Sequence, residues 1–484
     1  MRMRKWLYGL ALAGAALAFL LVFSWSSSPL TPTNDGSDAA FFRLVGEGML
    51  EGRLPYRDYF DNKGPWLFFL EALGQWICRG RLGVLLVQWV NWFWVLFLAD
   101  RLLREASSSL KLRLPGLAGL LCFAALTLQE GNLTEEYALP FLLFSLLLGV
   151  RYLKNHSGKP LPLGHGLWYG FAFGFLAFER ITNAALVCAL VLTLALILIH
   201  SRQWKSLLSS GLAFLGGAAL AVLPPCLYYL SKGLLGEMLS QVFLFGFSYA
   251  RESGLGEQIR NALSHFPRLL PLVFPLLALP LGFSREEKKG RWLLLSGVCV
   301  FATLCAVLMG NGYYHYYELG LPLIALGLFF LGKTKIRCRQ ILAAGLALAL
   351  LVTQAGDFRT LGYRTRLYLT QREQGSYGQD AQALSRLIPE ENREEVLCWD
   401  LMPDVYVLAS LQPCLRYCAW QEHYLSLNPD LAGEIAENGE KIRYLITASG
   451  QAVPECLQGW EWDRVQETEN FLLWRRVDRE THES

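Results

Sequence analysis

The sequence predicts a mainly α-helical, polytopic membrane protein with a small α/β domain at its C-terminal end. Three observations carry that reading. Hydrophobic residues make up 53% of the 484 residues and charged residues only 18%, where a soluble chain carries about a quarter charged. Mean hydropathy is +0.29. Apolar runs of bilayer length recur as far as residue 355, and from Asp357 onward the chain is polar without another such run. The same composition excludes disorder and collagen-like repeats. A net charge of +3 gives no footing for a nucleic-acid partner. None of the 11 cysteines forms a C-x-x-C pair, which removes zinc ribbons and thioredoxin-like redox motifs.

A hydrocarbon core of about 30 Å asks for roughly 20 apolar residues per helix. The runs that meet this are 6–25, 82–100, 114–128, 137–153, 164–178, 183–200, 206–230, 266–283, 291–309, 317–332 and 340–355, eleven in all. The first is not a cleaved signal. Its apolar stretch Leu7–Phe23 exceeds an ordinary h-region, and Trp25 followed by serines is a poor cleavage site. Arg2, Arg4 and Lys5 hold its N-terminus in the cytoplasm. A twelfth stretch, Pro65–Ile77, is short and broken by Glu71, Gly74 and Gln75. If it does not span, the clusters Arg101/Arg104/Lys111/Arg113, Arg151/Lys154/Lys159, Arg202/Lys205, Arg285/Lys288/Lys289/Arg291 and Lys333/Lys335/Arg337/Arg339 all join the N-terminus on one side. That is the positive-inside pattern, and a spanning 65–77 would invert it. We therefore read Pro65–Ile77 as an amphipathic or re-entrant helix on the outer face. The chain then divides into a transmembrane domain, 1–355, with a first outer loop at 26–81, and an extracytoplasmic cap, 356–484.

In the cap, Asp380–Leu387 reads as a helix stopped near Pro389, and Val396–Trp399 and Leu415–Ala419 as short strands. Pro429–Asn438 reads as a helix and Ile442–Thr447 as another strand. Cys398, Cys414, Cys418 and Cys456 lie in this domain, in a compartment that permits disulfides.

The polar residues of the outer side are few, and each has a plain structural role to weigh. Asp38 opens a helix over Ala39–Leu50, where an acid suits the cap and the dipole; the functional reading is a general base. Asp58, Asp61 and Lys63 follow in PYRDYFDNKGP. They are either a turn-rich link or a cationic clamp for an anionic headgroup, placed where the next helix begins. Glu135 and Glu136 fall in the first turn of a helix that Thr134 can cap, yet two adjacent acids at a membrane edge are costly unless one faces the protein interior. Glu179 and Arg180 pair with each other, or Arg180 reaches a phosphate. His315, among tyrosines, belongs to an aromatic belt or faces a headgroup. Asp38, Lys63, Glu135, Glu136, Arg180 and His315 all fall on the outer face under a topology drawn from charge alone.

At these residues the sequence resembles the bacterial GT-C-fold membrane glycosyltransferases of the protein O-mannosyltransferase and aminoarabinose-transferase-like group. The likeness lies in Ser28-Pro29-Leu30, Asp38, Phe41/Phe42, Gly48, Gly52, Pro55-Tyr56, Asp58, Phe60 and Lys63-Gly64-Pro65. It continues in Thr134-Glu135-Glu136 with Pro140, and in His315-Tyr316 with Pro322. The resemblance implies about eleven transmembrane helices, outer-face amphipathic helices and an inverting transfer of a sugar from a polyprenyl-phosphate donor in the bilayer. The extracytoplasmic acceptor is a lipid, a cell-wall glycan or a protein. Asp38 matches the first-loop acid that deprotonates the acceptor, and Glu135 or Glu136 the second acidic position. Lys63, with Arg57 and Arg180, is assigned to the donor phosphate. Asp58, Asp61, His315 and Tyr316 are assigned to substrate. Metal use stays open: Mg²⁺ or Mn²⁺ would take oxygen ligands from Asp38 with Glu135 or Glu136.

The alternative is a transporter or flippase of an isoprenoid lipid or glycan. Such proteins carry ionisable groups or broken helices near mid-membrane, whereas here the acids gather at one edge. A glycan polymerase or ligase would share the donor lipid, and a non-enzymatic assembly subunit would tolerate loss of Asp38.

Overall fold

The computed structural model describes residues 2–31, 37–156, 159–246, 266–282, 289–309, 313–333, 352–370, 376–427 and 431–477, with Gly256, Arg260 and Gly345. Among these, eight stretches are long and apolar enough to cross a membrane: Trp6–Phe23, Arg81–Arg104, Leu110–Thr127, Thr134–Asn155, Ile181–His200, Trp204–Ser231, Lys289–Leu308 and Tyr314–Gly332. They match eight of the eleven expected spans. Of the other three, 164–178 is a 15-residue helix and 266–283 a shorter apolar helical stretch, Pro267–Gly282. The expected span 340–355 lies largely outside the described residues.

In chain order the helices are α1 (Arg2–Phe23), α2 (Ser37–Leu50), α3 (Pro65–Ile77), α4 (Arg81–Arg104), α5 (Leu110–Thr127), α6 (Thr134–Arg151), α7 (Leu163–Ala177), α8 (Ala185–His200) and α9 (Trp204–Ser231). The α6 span is the most buried of the eight, with 78% of its apolar window inside the protein, so it forms the axis of the bundle; α1 and α9, at 22%, lie at the rim. The α7–α9 seam is built from small residues. A Cβ on Gly170 would run into the Phe214 carbonyl and one on Gly217 into the Leu167 carbonyl, so the two backbones meet directly. At the end of the bundle away from the C-terminal domain, buried Asp100 accepts hydrogen bonds from Tyr8 Oη at 2.7 Å, from Arg104 at 3.1 Å and from Arg113.

The expected short helix is present as α3. Its 13 residues rise about 20 Å at 1.5 Å each, too short for the bilayer. Pro65 starts it, where a missing N–H costs nothing.

The C-terminal part follows α10 (Leu235–Leu239), α11 (Phe274–Gly282), α12 (Lys289–Leu308), α13 (Leu321–Gly332) and α14 (Ala355–Thr370). A four-stranded sheet runs in the order β1 (Val396–Cys398), β2 (Tyr444–Ala448), β4 (Phe471–Arg476), β3 (Trp462–Glu467). β1 and β2 are parallel, in register Val396↔Tyr444, and their crossover carries helices, as parallel pairing requires. β4 is antiparallel to both of its neighbours. The expected helices over 380–387 and 429–438 appear as Ser376–Ser385 and Leu431–Glu437, and the expected strands at 396–399 and 442–447 as β1 and β2. The strand expected at Leu415–Ala419 does not form. Cys414 N–H bonds Val396 O at 3.1 Å, and then the backbone turns away so that Arg416 O accepts Phe60 N–H at 2.9 Å. Cys398, Cys414, Cys418 and Cys456 are free thiols.

The sheet and the first loop share one hydrophobic core. Phe41, Phe42, Val45, Tyr56 and Tyr59 pack in the same cluster as Val396, Val405, Tyr406 and Ile446.

Candidate active site

The site grows from the loop that joins α1 to α4. Asp38 stands half-buried in the first turn of α2. The next turns of α2 bury Phe41, Phe42, Leu44 and Val45, which anchors that turn against the rest of the loop. Gly46 lets α2 close on α3, since a Cβ there would sit 2.7 Å from Glu71 Cβ. After α2 the chain reverses at Tyr56, whose φ is 71° and whose N–H bonds Tyr59 O at 2.8 Å. The buried Tyr56 ring reaches on, and its Oη donates to Lys63 O at 2.9 Å. Gly64 follows, with its N–H on Glu179 O at 2.9 Å and no room for a Cβ beside Phe178 O. The 62–64 turn is therefore seated on the 178–180 turn, which brings Lys63 and Arg180 to the same end of the bundle.

Lys63 Nζ lies 3.0 Å from Asn62 Oδ1, 3.8 Å from Asp61 Oδ1 and 5.8 Å from the Phe42 ring centroid. Asp61 is buried, and burial raises its pKa; Lys63 opposes the rise and the Asp38 charge adds to it. Its Oδ1 accepts Asn62 N–H at 2.7 Å, and Gln241 holds the backbone on either side, through Asp61 N–H at 3.2 Å and Tyr56 O at 2.8 Å. Asp61 thus fixes the lysine from behind.

On the facing side, Arg180 donates to Glu135, which also accepts Thr134 Oγ1 at 2.9 Å. The Arg180 guanidinium stacks 3.9 Å from the Tyr316 ring centroid. Tyr316 lies against His315, with ring centroids 4.3 Å apart. His315 Nδ1 is 2.7 Å from Gln129 Oε1. With that oxygen as acceptor, Nδ1 carries the proton and Nε2 keeps its lone pair. The charges that act on buried His315 are those of Glu135, Arg180, Asp38 and Lys63. Five groups singled out in the sequence therefore converge: Asp38, Lys63, Glu135, Arg180 and His315.

Glu130 joins them and was missed in the sequence. Burial pushes its carboxyl up to about 7, with the Asp38 charge adding to the shift and Arg364 of α14 opposing it. Its loop is strained. Gln129 and Asn132 hold left-handed φ values of 53° and 64°, and Gly131 one of 81°. Ser26 straps the loop down, its N–H on Glu130 O at 2.9 Å and its Oγ on Gly131 O at 3.3 Å. The signal was the Q-E-G-N turn itself, an acid set beside two residues suited to positive φ.

The remaining expected residues lie elsewhere. Glu136 is wholly buried, and its carboxylate accepts Gln88 Nε2 at 2.9 Å, Trp92 Nε1 at 2.6 Å and Asn132 N–H at 2.8 Å. It clamps α6 to α4. Thr134 does not cap α6; its hydroxyl goes to Glu135. Arg57 and Asp58 bond each other at 2.8 Å and line a groove against the C-terminal domain, and Asp58 also accepts Leu54 N–H at 2.7 Å. Glu179 is buried beside Glu135, and burial holds its carboxyl well above the usual carboxylate range. Among the described residues no three His, Cys, Asp or Glu side chains converge as ligands. The oxygens of Glu135 and Glu136 are taken up by the donors just named. Neither glutamate therefore stands free beside Asp38 as the second oxygen ligand that Mg²⁺ or Mn²⁺ would need.

A bundle of membrane-length helices, a first loop folded into two short helices and a C-terminal sheet domain seated on that loop define a membrane protein of the GT-C glycosyltransferase fold. Among solved structures the chain is similar to ArnT from Cupriavidus metallidurans bound to undecaprenyl phosphate, with TM-score 0.60 at 11% identity over 97% of this chain and 98% of that one. The apo state of the same protein gives 0.54 at 12% over 98% of each chain. The Archaeoglobus fulgidus oligosaccharyltransferase in its apo form gives 0.50 at 14%, over 91% of this chain and 69% of that one. No protein-family model and no curated protein matches the sequence.

Proposed function

We propose that this chain is an inverting glycosyltransferase that moves a sugar from a polyprenyl-phosphate donor to an extracytoplasmic acceptor. The observation that carries the reading is the meeting of a carboxylate, two cations and a histidine at one end of a GT-C-fold bundle. A relative of the same fold, ArnT, has been solved with undecaprenyl phosphate bound. The C-terminal domain and the first loop then face outward, as the distribution of Lys and Arg among the loops argues.

In this reading Asp38 accepts the proton of the acceptor hydroxyl. The oxygen attacks the anomeric carbon from the face opposite the phosphate, the bond to the phosphate oxygen breaks, and the sugar is inverted. The electron pair leaves on the lipid phosphate, where Lys63 and Arg180 stabilise the growing charge. Asp61 positions Lys63; Glu135 and Tyr316 position Arg180. His315 offers a hydrogen bond to the donor headgroup.

The test offers the purified protein a panel of polyprenyl-phosphate sugars with a crude membrane-glycan acceptor and follows release of polyprenyl phosphate. Asp38→Asn is expected to lower turnover by a factor of about 10² to 10⁴, the scale of general-base loss, while still binding polyprenyl phosphate. Full activity in that variant removes Asp38 as the base. Absence of release with every donor, together with movement of lipid-linked sugar in sealed vesicles, would make the chain a transporter.

A further inference from the structure

A second polar site lies away from these residues. The loop after α2 and the C-terminal domain enclose a groove of about 320 Å³, at the small end of ligand pockets, about 300–1,000 Å³. Its charged walls are Arg53, Arg57, Asp58, Arg416, Glu434 and Lys441. Basic groups outnumber acidic ones four to two.

Each acid is already matched: Asp58 by Arg57 at 2.8 Å and Glu434 by Arg416 at 2.7 Å. Arg53 donates to Pro413 O at 2.8 Å and meets Glu394 at 3.1 Å, but Glu394 is 71% exposed and strongly screened. Glu237, 3.9 Å from Arg416, is likewise exposed. Lys441 Nζ has a neutral partner, Asn438 Oδ1, at 2.7 Å. Arg416 Nε is buried without an acceptor, so the wall holds an unsatisfied donor. The side chains that line the groove therefore hold two more basic than acidic groups, and the two further acids, Glu394 and Glu237, reach it only from exposed positions.

From this we infer that the groove binds an acidic saccharide unit, one bearing a carboxylate or phosphate ester, as part of the acceptor. A lipid chain has little apolar wall to meet there. A sugar ring finds donors on Arg53, Arg57, Arg416 and Lys441 and acceptors on Asp58, Glu434 and Asn438, and its anionic group answers the surplus cations. The groove is tied to the reacting end through one short stretch. Asp58 lines it, Phe60 N–H bonds Arg416 O at 2.9 Å, and Lys63 stands five residues beyond Asp58. Five residues span about 18 Å at most, a reach of a few sugar units. The assignment of this unit to an acceptor rests on the glycosyltransferase reading.

The experiment measures binding to the full-length protein in nanodiscs by calorimetry. The probes are a galacturonate hexamer, the neutral maltohexaose and inorganic phosphate. The galacturonate hexamer is expected to bind at least tenfold more tightly than maltohexaose, and Lys441→Glu to weaken it at least tenfold. Lys441 is exposed, so this variant keeps its fold; Arg416→Ala, which reaches into the packing, serves as a second reading of the same wall. Equal binding of acidic and neutral hexamers, indifference to Lys441→Glu, or binding of phosphate alone would each overturn the inference. Release of polyprenyl phosphate is followed in parallel. Absence of hexamer binding by the unsubstituted protein, with Asp38-dependent release intact, rejects the groove alone. Hexamer binding without release in any donor rejects the transferase reading alone.

Discussion

The two ends of the helix bundle bury charge in opposite ways. At the end away from the sheet domain, Asp100 receives Tyr8, Arg104 and Arg113, so the buried Asp100 and Arg113 charges answer each other, although Arg113 Nε has no acceptor among the described residues. At the sheet-domain end, Glu135, Glu136, Glu179 and Glu318 are all buried around the start of α6, and among the described residues Arg180 is the cation bonded to one of them, Glu135. Glu179 Oε1 and both Glu318 oxygens have no hydrogen-bond partner among the described residues. A matched buried ion pair holds helices together; a buried carboxyl without a hydrogen-bond partner costs stability in either protonation state and persists where chemistry needs it.

The largest effect is expected at the balanced end. Asp100→Ala leaves Arg113 buried without its anion and costs about 3–5 kcal/mol, read as a loss of folded protein in thermal unfolding. Glu135 and Glu136 come next, because adjacent residues should split the two behaviours. Glu135→Gln weakens the hold on Arg180 and lowers turnover by about 10²-fold, with a smaller loss of stability than at Asp100 because Arg180 is partly exposed. Glu136→Gln sets an amide against the Gln88, Trp92 and Asn132 donors and costs about 1–3 kcal/mol, with turnover per folded molecule unchanged. Equal effects of the two in both assays would erase the distinction drawn between them.

Glu130 offers a smaller, pH-dependent signature. Its folded carboxyl titrates near 7 rather than 4.5, so between those values the folded state holds a proton that the unfolded state has lost. Stability therefore falls as pH rises from about 4.5 to 7, by on the order of 1–3 kcal/mol, and is level above that window. Glu130→Gln should flatten this slope in unfolding curves taken across it. The smallest effect is expected at Glu318. Glu318→Gln removes an ionisable group that has no partner, and should shift stability by less than about 1 kcal/mol in either direction, against the large loss at Asp100.

Much of this arrangement was legible in the sequence for identifiable reasons. Pro65, with Glu71, Gly74 and Gln75 behind it, marks a helix too short and too interrupted to span, and α3 has the limits that pattern implies. The meeting of Asp38, Lys63, Glu135, Arg180 and His315 was foreshadowed because the basic loops force all five to one side. The division of labour between Glu135 and Glu136 was not legible, since it depends on which face of α6 meets α4, and Gln88 and Trp92 lie on that neighbour. Glu130 was passed over because its importance comes from a backbone turn. The hairpin of β3 and β4 was missed because β3 is nearly all polar and exposed, so it shows no alternation. Leu415–Ala419 read as a strand by composition, but its carbonyl at Arg416 is spent on Phe60 instead of a sheet partner.

That last bond has a consequence in time. Tyr59 Oη donates to Gln412 at 3.0 Å, Arg53 to Pro413 O at 2.8 Å and Phe60 N–H to Arg416 O at 2.9 Å, each across more than 350 residues of chain. Contacts so distant in sequence form late, and during synthesis the N-terminal segments emerge first. The loop that carries Asp38 and Lys63 is therefore made early and finished last. It waits, partly built, through the insertion of every later helix until residues 412–416 arrive to close it. A chain stopped short of them would hold the right side chains in a membrane and still have no assembled site.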